Sequence, residues 1–149
     1  MPINYRNKAN FTAGAAIDEI FTAAESLTGK RYYFVAPGSI VGEVVAATGA
    51  SNPAPIGVLQ NAPGAAAKAY VRIFGVTKLT GCAATCDIRN GRFIRSSSVG
   101  AAEVPASAGG GVIQGRWLSA SVATNASGLA TKAFVDCMSL GGVCAVSTS

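Results

Sequence analysis

The stretch Lys68-Ala69-Tyr70-Val71-Arg72-Ile73-Phe74-Gly75-Val76-Thr77-Lys78-Leu79 decides the fold class. It is the longest β-type run in the chain, and its first part alternates, with Tyr70, Arg72 and Phe74 on one face and Val71 and Ile73 on the other. A period of two marks a half-buried strand. Gly75 inside such a run signals a bulge or a close approach of another backbone. Upstream, Ile56-Gly57-Val58-Leu59-Gln60 reads as a shorter strand, separated from the long one by the strong turn signal Asn61-Ala62-Pro63-Gly64.

Moving outward, the same pattern recurs. Arg31-Tyr32-Tyr33-Phe34-Val35 reads as a strand stopped by Pro37-Gly38, and residues 40–47 as another. Ile17-Asp18-Glu19-Ile20-Phe21-Thr22-Ala23-Ala24 suits a short helix or a strand equally. Asn90-Gly91, set between β-type residues, is a hairpin signal. Residues 96–111 read as a loop of small residues, and residues 112–119 and 132–140 as two further strands. Strand, turn and long strand occur twice, at 56–71 and again at 114–135, as a weak internal echo.

Composition agrees. The chain has 149 residues, half of them apolar, enough for one domain with its own core. Valine and isoleucine far outnumber leucine, and 18 Gly and 6 Pro imply many turns. The expectation is a mainly β, small single-domain sandwich or barrel-like fold with little helix. Residues 1–14, with Asn4, Asn7 and Asn10 and no apolar periodicity, read as an extended N-terminal arm, and residues 15–149 as the domain.

Several chemistries are disfavoured together. The chain has no His, so His-dependent acid–base catalysis, Ser-His and Cys-His pairs and His metal ligands are missing. The seven carboxylates are scattered, and the one adjacent pair, Asp18-Glu19, points its side chains apart. Gly29-Lys30 lacks the upstream Gly and the following Ser or Thr of a phosphate loop. Cys82, Cys86, Cys137 and Cys144 are spaced C-x3-C and C-x6-C, unlike a zinc ribbon; they read first as small buried apolar residues and second as one or two disulfides. No apolar run is long enough for a membrane helix, and the start of the sequence has no signal-peptide core, so synthesis in a cytoplasm is expected. No cofactor is expected.

The formal charge is +5 and the pI is near 9.3. Charged residues make up only 13% of the chain and the cations are spread along it, which favours protein contacts over tracking of phosphates. Arg89, Arg92 and Arg95 form the densest basic set, either a solvated turn or a contact with an acidic partner. Trp117 reads as core or subunit interface. Tyr5 and Phe11 lie in a polar arm beside Arg6 and Lys8; they either fold back or anchor in a partner, which makes Tyr5, Arg6, Lys8 and Phe11 the contact candidates.

The order of several of these pieces resembles tailed-bacteriophage capsid decoration, or cement, proteins. Pro55-Ile56-Gly57-Val58-Leu59-Gln60-Asn61-Ala62-Pro63-Gly64, followed by Ala69-Tyr70-Val71 and Gly75-Val76-Thr77-Lys78-Leu79, is similar to that family's central strand–turn–strand signature. Leu27-Thr28-Gly29-Lys30-Arg31-Tyr32-Tyr33-Phe34-Val35 is similar to its upstream strand, and Ile113-Gln114-Gly115-Arg116-Trp117-Leu118 to a late one. The loop Thr80-Gly81-Cys82-Ala83-Ala84-Thr85-Cys86-Asp87 departs from the family by carrying Cys82 and Cys86 where Gly is usual, which makes a local Cys82–Cys86 link conceivable. The resemblance implies a homotrimeric, non-enzymatic virion protein on the outer capsid surface. It would bind the major capsid protein where coat subunits meet, without nucleic acid, membrane or cofactor. A head-fibre or receptor-binding module is the alternative, and a Ser/Lys hydrolase a remote one. The expected outcome of assays on purified protein is no hydrolytic, transferase or redox turnover and no effect of chelators on stability; stoichiometric zinc would contradict this.

Overall fold

The computed structural model describes residues 16–48, 54–81, 93–103, 115–117 and 129–136, and within these every regular element is a strand. In chain order they are β1 (Ile17–Ala23), β2 (Phe34–Pro37), β3 (Glu43–Ala46), β4 (Gly57–Leu59), β5 (Lys68–Thr80), β6 (Phe93–Ser96), β7 (Ala102–Glu103), β8 (Gly115–Trp117) and β9 (Leu129–Asp136). Five of them close a barrel in the order β1-β3-β2-β4-β5, with β5 returning to β1. The β1–β3 pair is parallel and the other four contacts of the barrel are antiparallel. Residues 1–14, read as an arm, lie outside the described residues.

The long run carries the closure. The first half of β5 pairs with β1, from Phe74 opposite Ile17 to Lys68 opposite Thr22, and also with β4, Val71 facing Leu59. Its alternation is the expected one. Ala69 and Val71 are fully buried and Ile73 packs on the same core, while Lys68 and Tyr70 face outward and Arg72 is partly covered. The barrel core also holds Ala23, Leu27, Val35, Val44 and Leu59. Burying side chains of this size contributes roughly 1.5–3 kcal/mol for each of the larger ones.

Gly75 is where β5 changes task. Its φ of 112° lies in a region that side chains avoid. From Phe74, opposite Asp136, to Thr80, opposite Leu129, the strand pairs with β9. Gln60, just after β4, bonds through its side-chain amide to Thr77 Oγ1 at 2.9 Å, and Thr80 N–H donates to Tyr32 O at 2.9 Å. The rest of the sheet continues from β9 to β8, β6 and β7.

This second layer explains β2. Val35 points into the barrel, so its neighbour Phe34 must point out of it, yet both are 0% exposed. Phe34 N–H donates to Gly100 O at 2.7 Å, in the tight turn between β6 and β7, so that hairpin covers the outer face of β2. Val58, opposite Phe34 in the β2–β4 pair, is likewise fully buried, and Leu79, Ile94 and Ala102 are buried outside the barrel cluster.

Several expectations shift at their boundaries. Residues 17–23 are strand, which settles the helix-or-strand ambiguity. Residues 31–33 are turn, with β2 beginning at Phe34. The stretch expected as one strand over 40–47 narrows to β3, because residues 38–43 fold into a hairpin tip with Gly38 N–H on Glu43 O at 2.8 Å. The loop expected over 96–111 contains β7, paired with β6. The last two strands are β8, within the expected 112–119, and β9, which starts three residues earlier than expected, at Leu129. Both halves of the internal echo are antiparallel pairs, β4 with β5 and β8 with β9.

Gly57 tests the closure. A Cβ there would sit 2.5 Å from Val71 Cγ1 and 2.6 Å from the Arg72 carbonyl oxygen, so backbone would have to move. Gly57→Ala is expected to cost about 1–3 kcal/mol, whereas Gly64→Ala, with nothing within 4 Å, should change little. Urea melts of the two variants make the comparison.

Candidate functional site: an apolar strip and cleft at one barrel mouth

β1 and β3 run parallel, β3 beginning beside Thr22 near the end of β1, and the β2–β3 hairpin tip lies just ahead of that point. Glu43 N–H donates to Ile40 O at 3.1 Å and Thr22 N–H to Gly42 O at 2.9 Å, which fastens the tip to β1. The tip carries Ile40 and Val41, both exposed, Val41 completely. Beneath it lies a cleft of about 520 Å³ floored by Phe21, Ile56 and Ile73. Two β-branched side chains held in water beside an apolar cleft do nothing for the fold, and such surfaces mark contact sites.

The apolar surface continues onto β1. Ile20 stands opposite Tyr70 across the β1–β5 pair, and both are exposed. Ile20 and Tyr70 therefore form an apolar strip across two strands, and the hairpin tip that carries Val41 is tied to β1 two residues further on, at Thr22. Its border is polar: Asp18 receives Arg72 through Nε at 2.7 Å and Nη2 at 2.9 Å. That hydrogen-bonded carboxylate raises the Arg72 guanidinium above its ordinary range, with burial pulling the other way.

One edge of the strip is open. β3 meets β1 only at Thr22 and Ala23, so residues 17–21 have β5 on one side and no strand on the other among the described residues. Thr22 N–H points toward β3, and peptide groups alternate along a strand, so the Asp18 and Ile20 groups face that open edge. Unpaired strand edges accept added strands. The arrangement offers no nucleophile–base pair; it offers shape, apolar surface and hydrogen-bonding edge. Among the described residues no cluster of three His, Cys, Asp or Glu could hold a metal.

Of the residues singled out from sequence, Tyr5, Arg6, Lys8, Phe11, Cys82, Cys86, Cys137, Cys144, Arg89 and Arg92, with the Asn90-Gly91 turn, lie outside the described residues. Arg95 is not a free cation of a basic cluster: it sits in β6 and pairs with Glu103 of β7 at 2.9 Å. Trp117 falls in β8. Sequence reading missed Ile40 and Val41 because β-branched residues beside a strand look like more strand. The signal was available in the flanking Pro37-Gly38-Ser39 and Gly42, which bracket a turn.

No family model and no curated protein matches the chain. Among solved structures, the fold is similar to the N base of the head fiber gp8.5 of bacteriophage phi29, with a TM-score of 0.53 at 13% identity. The likeness covers 83% of this chain and 96% of that one. The two share a mainly β fold.

Ile40→Ser and Val41→Ser are expected to leave stability within about 0.5 kcal/mol, since Val41 is fully exposed and Ile40 mostly so. Asp18→Asn should cost less than about 1 kcal/mol, because a partly exposed ion pair contributes little. Thermal melts of the three variants test both statements.

Proposed function

We propose that this chain is a structural, non-enzymatic protein of a bacteriophage virion. The observation that carries the reading is the fold shared with the phi29 head fiber base across nearly all of that chain. The sequence resemblance to capsid decoration proteins, resting on short motifs in order, points to the same class of particle.

Within that class the specific role is decoration of the outer capsid surface, where major capsid protein subunits meet. Work of this kind needs added interface and no reacting group. The exposed Ile20 and Tyr70, with Ile40 and Val41 of the hairpin tip, supply the apolar part, and the open edge of β1 supplies directed hydrogen bonds. β1 is continuous with residues 1–16, where Tyr5, Arg6, Lys8 and Phe11 remain the candidates for contact with the coat. A homotrimer would present three such surfaces at once, so modest contacts would sum through avidity. The structural neighbour favours a second reading, the base of a head fibre or receptor-binding module.

Particles made with and without the protein separate the two. Decoration predicts loss of density at coat junctions and lower resistance to internal pressure, with host attachment intact; a fibre base predicts the reverse. Deleting residues 1–14 is expected to leave a folded domain that binds capsids poorly. Tyr5→Ala and Phe11→Ala should weaken capsid binding with little change in melting temperature. A lower melting temperature with binding unchanged would mean instead that these side chains pack on their own domain.

A further inference from the structure

The turn into β2 holds a strained tyrosine among cations. Tyr32 has φ 65°, a backbone region that a bulky aromatic enters only under constraint. Backbone pins it from both sides, its N–H on Leu59 O at 2.8 Å and its carbonyl under the Thr80 N–H at 2.9 Å. Two cations lie against its ring: the Arg31 guanidinium carbon at 4.8 Å from the centroid and Lys78 Nζ at 5.7 Å. Lys30 Nζ sits 4.9 Å over the neighbouring ring of Tyr33. Strain of this kind, when it is over-determined by its surroundings, concentrates at functional surfaces.

Among the described residues no carboxylate neutralises the charges on this patch. The ion pairs of the described residues use Arg72 with Asp18 and Arg95 with Glu103, and none reaches Lys30, Arg31 or Lys78. Arg31 Nε donates to Gln60 O at 2.9 Å, which anchors the guanidinium while no acceptor among the described residues meets its two Nη groups. Arg31 and Lys78 are exposed, and Lys30 and both rings half-buried. The rings thus hold three long side chains in place without using up their N–H donors.

We propose that Lys30, Arg31 and Lys78, ordered on Tyr32 and Tyr33, form a docking surface for the carboxylates of an acidic protein segment. The fork of Arg31 left free by Gln60 suits a carboxylate, and two ammonium groups beside it accept further ones. Nucleic acid fits less well for two reasons. The Tyr32 ring is already covered by its own cations, which blocks stacking of a base. Three cations also release few counterions, at a slope of about −0.9 per contact, so duplex binding fades at physiological salt. On the virion reading the acidic partner is the coat, but the patch does not depend on that reading.

The test is a titration of the full-length, isotope-labelled chain with an oligoglutamate peptide at about 150 mM salt, alongside a short duplex DNA. The expected result is saturable amide shifts centred on residues 30–33 and 78. Arg31→Ala combined with Lys78→Ala should reduce peptide affinity about tenfold or more, with the melting temperature unchanged. Arg31→Lys, which keeps the charge and loses the fork, should fall between. Lys78→Gln alone gives a second measure should the double variant fold poorly. Absence of peptide binding, shifts elsewhere on the surface, equal affinity of the variants, or tighter binding of DNA than of peptide would each overturn the proposal. Because no capsid enters the assay, a failure to bind capsids would overturn the virion reading and leave this one standing.

Discussion

The architecture depends on one strand serving three partners. β5 must lie between β1 and β4 to close the barrel and then pair with β9 to carry the second layer. The strand continues through Gly75, whose positive φ marks an irregularity in it, and its second half brings Thr77 to Gln60 and Thr80 to Tyr32, so one chain segment is both wall and cover. Closure also removes strand edges over most of the barrel, which is how β proteins avoid uncontrolled pairing. The short stretch of β1 that β3 does not reach is an exception, and it lies beside the apolar tip of the β2–β3 hairpin.

Two-sided burial follows from the same arrangement. β2 is only four residues long, yet Phe34, Val35 and Ala36 are all buried, because the barrel takes one face and the β6–β7 hairpin the other. A strand buried on both faces reads as a continuous apolar run without alternation. The approach is close where backbone meets backbone: Gly57 fits against Val71 and Arg72, and a Cβ at Gly100 would meet Phe34 O at 2.9 Å. The packing therefore rests as much on missing side chains as on present ones, in keeping with a chain rich in glycine and poor in leucine.

This explains what could be read from the sequence. The alternation of Tyr70, Val71, Arg72 and Ile73 is local, so β5 and its faces were legible, as was the turn before it. The mainly β class followed from composition. The closure of β1 onto β5 was not legible, since pairing across some fifty residues leaves no local trace. The turn at residues 31–33 was hidden for a different reason. Arg31-Tyr32-Tyr33 has strong strand propensity, and only the bonds from Tyr32 to Leu59 and Thr80 force its positive φ. The same propensity disguised Ile40 and Val41 as strand. Both contact surfaces thus arise where tertiary constraint overrides local preference, which is where a functional site is expected to break the rules of its own sequence.

The two surfaces complement each other physically. The exposed Ile20, Tyr70, Ile40 and Val41 gain by exclusion of water, which is strong but undirected. The cations on Tyr32 and Tyr33 act at longer range and with defined geometry, but screening limits them. A protein with charged residues at 13% of its sequence has little general electrostatic attraction to offer a partner. Placing three cations that no described carboxylate pairs with on two aromatic rings concentrates what charge there is. Both surfaces are presented by a closed barrel. On the proposed virion reading, such a division suits a protein that stays bound to its particle.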